Sequence, residues 1–268
     1  MRTQALATES DALAIGTAVD WPKGEFLGSW HAVALLGRGG TADVWHGVAP
    51  DGREAALKLA KPELRRHAAA NDLIRHEHGV LLTVASTRLI EPYELIECDG
   101  VAVLALEYLP HGDLVPLLGM PPRHWLPAFR AVVGALLDLE HRGFAHGDLK
   151  PRNVLFAADG TARLADLTYA RPLDAPAVVT TAAYGLPAPS SATARDADCF
   201  ALAAVLFELL TARLPPGPGG LANLDITAAD AQAAPLLAAA IAALRAGGRA
   251  QGLSYFTDVI ESVCSIDG

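Results

Sequence analysis

His146-Gly147-Asp148-Leu149-Lys150-Pro151-Arg152-Asn153-Val154-Leu155 brings a carboxylate, a lysine two residues on and an amide five residues on into one short stretch. Such a loop can orient a hydroxyl with Asp148, touch a transferred phosphoryl group with Lys150 and offer an oxygen of Asn153 to a metal. Asp166 follows eighteen residues after Asp148, behind the strand-like Ala162 to Ala165, and can supply a second hard oxygen for magnesium. Any one of these residues could be a turn former or a cap. The four together are not explained that way.

Upstream, the period is two. Ala32 to Leu36, Asp43 to Val48 and Glu54 to Leu59 read as three antiparallel strands, with a glycine-rich turn after the first and an Asp51-Gly52 hairpin turn after the second. A helix over about Ala68 to Leu82 follows. Strands near Tyr93 to Glu97 and Val101 to Glu107, joined at Asp99-Gly100, complete a five-stranded antiparallel sheet with one helix. Between the first two strands, Gly37-Arg38-Gly39-Gly40-Thr41-Ala42-Asp43-Val44 can let the backbone approach phosphate oxygens and offer its N–H groups to them. A plain β-turn is the other reading of that loop. A dinucleotide-binding turn fails on context, because a strand and not a helix follows the glycines. Lys58 closes the apolar run Ala55-Ala56-Leu57-Lys58, where a phosphate and a carboxylate would explain it, and Glu77 in the next helix is its natural partner. Taken singly, Lys58 could be a snorkelling surface lysine and Glu77 a solvated helix charge.

Downstream of Pro110 the period becomes helical: Trp125 to His141 stopped by Gly143, then Asp196 to Thr211, Asp230 to Arg245 and about Ser254 to Val263, with a loop at Pro215 to Gly220. Strands followed by helices imply an α+β fold in two lobes. Residues 1–29 read as an N-terminal extension and 30–265 as the domain, with an N-lobe over 30–109 and a mainly helical, trimmed C-lobe over 110–265.

Composition narrows the classes. The chain is 51% hydrophobic, yet its longest apolar stretch, Phe200 to Leu214, is broken by Glu208 and Arg213, so no membrane partner is expected. Because Met1 to Ala18 mixes Glu9 and Asp11 among its alanines and threonines, no secretory leader is expected. Three scattered cysteines, Cys98, Cys199 and Cys264, support neither a disulfide framework nor a zinc site and fit a cytoplasmic location. A net charge of −9 argues against a nucleic-acid partner.

These motifs resemble the Hanks-type, eukaryotic-like protein kinases, in particular the bacterial Ser/Thr group, over about residues 30 to 265. Gly37, Gly39 and Val44 match the family's glycine loop, with Ala42 in place of its third glycine. The resemblance implies ATP and Mg2+ as cofactors and a protein substrate. It implies that Lys58 binds the α- and β-phosphates and pairs with Glu77, and that Glu107 to Leu109 form an adenine-contacting hinge behind Leu106. It also implies that Asp148 is the catalytic base, Lys150 a phosphoryl contact, and Asn153 and Asp166 the magnesium ligands. Asp198 resembles the helix aspartate that braces the catalytic loop.

The departures are specific. His146-Gly147-Asp148 lacks the family's arginine, which removes the receiver for a phosphorylated loop, and the same triplet occurs in aminoglycoside and other small-molecule kinases. Asp166-Leu167-Thr168 stands for Asp-Phe-Gly, and its threonine lacks the backbone freedom of glycine. Leu186-Pro187-Ala188 stands for Ala-Pro-Glu and lacks the carboxylate. Thr181 and Tyr184 resemble the substrate-adjacent loop, where Thr180 or Thr181 could be autophosphorylated. The sequence therefore reads as an ATP- and Mg2+-dependent protein serine/threonine kinase. A small-molecule kinase and a pseudokinase scaffold remain as the other two readings.

Overall fold

Alternating and continuous apolar runs between Phe26 and Glu107 fold into one sheet in the computed structural model, which describes residues 24–186, 191–216, 233–249 and 252–264. The strands are β1 (Phe26–Leu27), β2 (Trp30–Arg38), β3 (Ala42–Val48), β4 (Glu54–Ala60), β5 (Pro92–Cys98) and β6 (Val101–Glu107), in the order β1-β2-β3-β4-β6-β5. The sheet thus has six strands and not the five expected. The additional strand exists because Gly28, in the left-handed region at φ 63°, reverses the chain and sets Leu27 opposite Trp30. Both side chains are buried in one cluster with Ala32, Leu57, Leu59 and Val103. Trp30 Nε1 also donates to Glu94 at 2.6 Å. The sheet consequently begins inside the segment read as an extension.

Helix α1 (Ala68–Val84) follows β4. The chain divides into two units: one runs through Arg75 and includes Glu94–Ala105, the other comprises His76–Tyr93 and Leu106 onward. The boundaries differ from the expected 109/110 lobe division because the second half of α1 and the segment after it belong with the helical unit.

In the second unit, Pro122 opens α2 (Pro122–His141) at a position where a missing N–H costs nothing. Gly143, at φ 82°, lies just beyond its end. Apolar residues at helical spacing bury Trp125, Phe129, Val132, Leu136 and Leu139. Helix α3 (Ala194–Thr211) starts at a capping box in which Thr193 and Asp196 satisfy each other's backbone N–H. It is buried along most of its length, which marks it as the central helix of this unit. Helices α4 (Ala233–Arg245) and α5 (Leu253–Cys264) pack on it and on α2, with Phe256 meeting Phe129 edge to face. Two small hairpins complete the unit: β7 (Phe144–Ala145) pairs with β10 (Arg171–Pro172), and β8 (Val154–Phe156) with β9 (Ala162–Leu164). The expected helix start at Asp230, the loop at 217–220 and the residues Pro187 and Ala188 lie outside the described residues. No described helix is long and apolar enough to cross a membrane.

Candidate active site

In the first unit, antiparallel pairing sets Gly37 opposite Val44 and Val44 opposite Lys58, so the three occupy one cross-strand row. Gly39 closes the intervening turn with its N–H on the Ala42 carbonyl at 2.8 Å. A Cβ at Gly39 would lie 2.9 Å from that same oxygen, which is why the turn needs glycine there. Gly40 and Arg38 flank it. Lys58 is buried, among apolar neighbours in a strand that opens with the exposed Glu54.

In the second unit, β7 delivers the chain to His146, whose side chain is fully buried. The Asp198 carboxylate on α3 accepts the backbone N–H groups of His146 (2.6 Å) and Gly147 (2.9 Å). Burial pushes the Asp198 carboxyl up from its ordinary range, opposed by those two N–H donors. The Asp148 N–H reaches His146 Nδ1 at 3.2 Å, which assigns the ring proton to Nε2, donated to the Ala165 carbonyl at 3.0 Å. Gly147 adopts φ 81°, and a Cβ there would sit 2.5 Å from the Tyr169 carbonyl oxygen. The absent arginine therefore coincides with a position that has no room for a side chain.

Asp148 is the hub of this loop. Its Oδ2 pairs with Lys150 Nζ at 2.5 Å, and its backbone carbonyl accepts Asn153 Nδ2 at 2.8 Å. Its Oδ1 accepts the hydroxyls of Thr180 (2.6 Å) and Thr181 (2.7 Å). Lys150 Nζ also donates to Thr181 at 3.3 Å, so that hydroxyl receives one proton and gives another. Thr180 has a second acceptor in the Gly147 carbonyl at 2.9 Å. Farther along, the Tyr184 hydroxyl donates to Glu208 at 2.7 Å, and burial together with that carboxylate pushes its pKa up.

The Asn153 carbonyl accepts the Ala165 N–H at 2.8 Å and so ties this loop to Asp166. Asp166 sits in the left-handed region at φ 65°, an uncommon conformation for a residue with a side chain. Thr168 Oγ1 lies 2.8 Å from Asp166 Oδ1 and 2.9 Å from Glu77 Oε2, while the Leu167 N–H reaches Glu77 Oε1 at 3.2 Å.

The structure thus gathers Asp148, Lys150 and Asn153 in one loop, and Asp166 with Glu77 beside it. Gly37, Val44 and Lys58 form their own row in the first unit. At Glu107 the backbone N–H is used by the Glu91 carbonyl at 2.8 Å and the carboxylate lies 3.8 Å from Arg163, while Leu109 is buried. Glu107 lines a separate cavity of about 400 Å³ with Leu81, Ile90 and Arg163. The amide of Asn153 and the carboxylate of Asp166 are hard oxygen donors, the chemistry that suits magnesium. Among the described residues no cluster of three or more His, Cys, Asp or Glu exists to hold a different metal. Sequence reasoning missed the side-chain role of Thr168 and the contact of Thr180 with Asp148. The polar residue in place of glycine was the signal for the first.

The protein kinase domain family matches residues 30–232. The chain is 30% identical to a probable serine/threonine-protein kinase of Streptomyces coelicolor, over 70% of this chain and 31% of that protein. It is 28% identical to the serine/threonine-protein kinase PknD of Mycobacterium tuberculosis, over 72% of this chain and 31% of that one. With CBL-interacting protein kinase 4 of Oryza sativa it shares 30% identity, over 74% of this chain and 48% of the relative. The chain therefore spans between about a third and a half of the length of these relatives.

Proposed function

The chain belongs to the protein kinase domain family, and we propose that it is a protein serine/threonine kinase, using ATP with Mg2+ to phosphorylate a hydroxyl of a protein substrate. The observation that carries the reading is Asp148 Oδ1, which already accepts two threonine hydroxyls at 2.6 and 2.7 Å. A carboxylate that seats its own chain's hydroxyls at this distance is built to orient a substrate hydroxyl and take its proton. Lys150, whose ammonium lies 2.5 Å from Asp148, would neutralise charge on the transferred phosphoryl group in this reading.

In this reading the Gly37–Gly40 turn and Val44 cover the nucleotide, Lys58 holds its α- and β-phosphates and pairs with Glu77, and the backbone of Glu107 to Leu109 contacts the base. Because the Glu107 N–H is engaged with Glu91, the base contacts fall to the Glu107 carbonyl and to Leu109. Asn153 and Asp166 would hold magnesium, which when bound neutralises phosphate charge. Asp198 keeps Asp148 in place by fixing the backbone on its N-terminal side. The kinase-like domain extends over residues 30–265 in this proposal.

A second reading, transfer to a small hydroxylated metabolite, draws on Gly147: the family arginine is replaced where no side chain fits. The test is transfer of labelled phosphate from ATP with magnesium to a generic basic protein, to the chain itself and to a panel of hydroxylated metabolites. Transfer to protein that is lost in Asp148→Ala supports the first reading. Transfer only to metabolites supports the second, and nucleotide binding with no transfer at all moves the chain to a scaffold role.

A further inference from the structure

Thr168 stands where the family pattern has a glycine, and it is 95% buried rather than turned to water, being 5% exposed. Its hydroxyl lies within hydrogen-bond distance of two carboxylates, Glu77 at 2.9 Å and Asp166 at 2.8 Å. A hydroxyl has one proton, and a carboxylate only accepts, so the two bonds alternate. Glu77 is also held at Oε1 by the Leu167 N–H at 3.2 Å. A residue of almost any type can supply that backbone donor, whereas the contact at Oε2 from residue 168 needs a side-chain hydroxyl.

We propose that Thr168 is a positioning residue whose hydroxyl clamps Glu77 to the Asp166 segment, the clamp closing fully when Asp166 turns its oxygen to a cation. The cation part rests on the function proposed above. With Asp166 engaged elsewhere, the Thr168 proton goes to Glu77 alone, and Glu77 is gripped at both oxygens. Cation binding at Asp166 and the placement of Glu77 on α1 are then coupled through one O–H group, and the coupling is reciprocal.

The test compares the wild-type chain with Thr168→Val, which keeps the shape and removes the hydroxyl, and Thr168→Ser, which keeps the hydroxyl. Thr168→Ala is a second hydroxyl-free variant should valine disturb packing. Amide exchange at Leu167, read without nucleotide, is expected to speed up on the order of tenfold in Val or Ala and to return to near the wild-type rate in Ser, the scale of one charge-assisted hydrogen bond. The magnesium concentration giving half-maximal binding of ATP, followed by calorimetry, is expected to fall, by up to about tenfold, in Val, which removes the hydroxyl that competes for Asp166, and to stay near the wild-type value in Ser. Exchange at Leu167 that is equal in all variants overturns the clamp. Normal phosphate transfer by the wild type with no change in the magnesium midpoint of Thr168→Val overturns the coupling while leaving the proposed function standing. A wild-type chain that binds no nucleotide, yet shows Leu167 protection dependent on Thr168, keeps the clamp and overturns the proposed function.

Discussion

Asp198 and Asp148 are both buried carboxylates beside His146, one hydrogen-bonded to its N–H and the other two residues on, yet they are held in opposite ways. Asp198 is gripped by backbone N–H groups, those of His146 and Gly147, which cannot leave without unfolding the loop. Asp148 is gripped on its carboxylate by side chains alone: Lys150, Thr180 and Thr181. Those donors sit on rotatable bonds and can be exchanged for an incoming hydroxyl. Chemically identical groups thus become an anchor in one place and an exchangeable seat in the other, and the type of donor makes the difference.

Breaking the seat has the largest expected effect. Asp148→Ala should lower the phosphate-transfer rate by on the order of 10² to 10⁴, about 3 to 5 kcal/mol of barrier, with the melting temperature and nucleotide affinity close to wild type. Steady-state kinetics beside thermal unfolding would decide it, and a variant that melts early instead would erase the distinction between the two aspartates.

Breaking the anchor should act on stability. Asp198→Ala leaves two buried N–H groups without their acceptor and is expected to cost about 2 to 4 kcal/mol, seen as a lower urea midpoint. Cys199 gives an independent readout. Burial pushes its thiol from the ordinary range up to about 12, so the reactive thiolate is scarce at pH 8 and grows only as the pH rises toward that value. Exposed Cys264 should alkylate first in the native chain, and Cys199 only after unfolding or in Asp198→Ala. Rapid native labelling of Cys199 would contradict the buried anchor.

Two smaller effects sharpen the contrast. Gly147→Ala should destabilise the chain by about 1 to 3 kcal/mol, since it forces a Cβ into a left-handed residue against the Tyr169 carbonyl. Thr180→Ala should remove a competitor for Asp148 worth about 1 kcal/mol and lower the KM for the protein substrate roughly fivefold. An unchanged KM would mean that a substrate hydroxyl does not enter where Thr180 sits.

How much of this was legible in the sequence follows from distance along the chain. Val101 to Glu107 was read at its true bounds, because a continuous apolar run follows the Asp99-Gly100 turn. Helix α2 was recognised from its spacing, short only of its first turn. Lys150 and Asn153 meet Asp148 within five residues, so their grouping needed no tertiary information. Phe26–Leu27 escaped notice because two residues carry no period, and its strand character comes from Trp30 across the turn. The contacts of Thr180 and Thr181 with Asp148 span 32 and 33 residues and are set by packing. Thr168 was read as a loss of backbone freedom, whereas its side chain forms the new contacts. Gly147 was read as a lost arginine, and the tight approach of Tyr169 explains the glycine that stands there instead.

That tight approach also sets an order on any redesign of this position. With the Tyr169 carbonyl oxygen only 2.5 Å from where a Cβ would be, a substitution at 147 alone costs stability whatever the new side chain could offer. The backbone at 169 must withdraw first. A side chain in the loop is compatible only with an altered backbone at Tyr169, so any redesign must change the two stretches together.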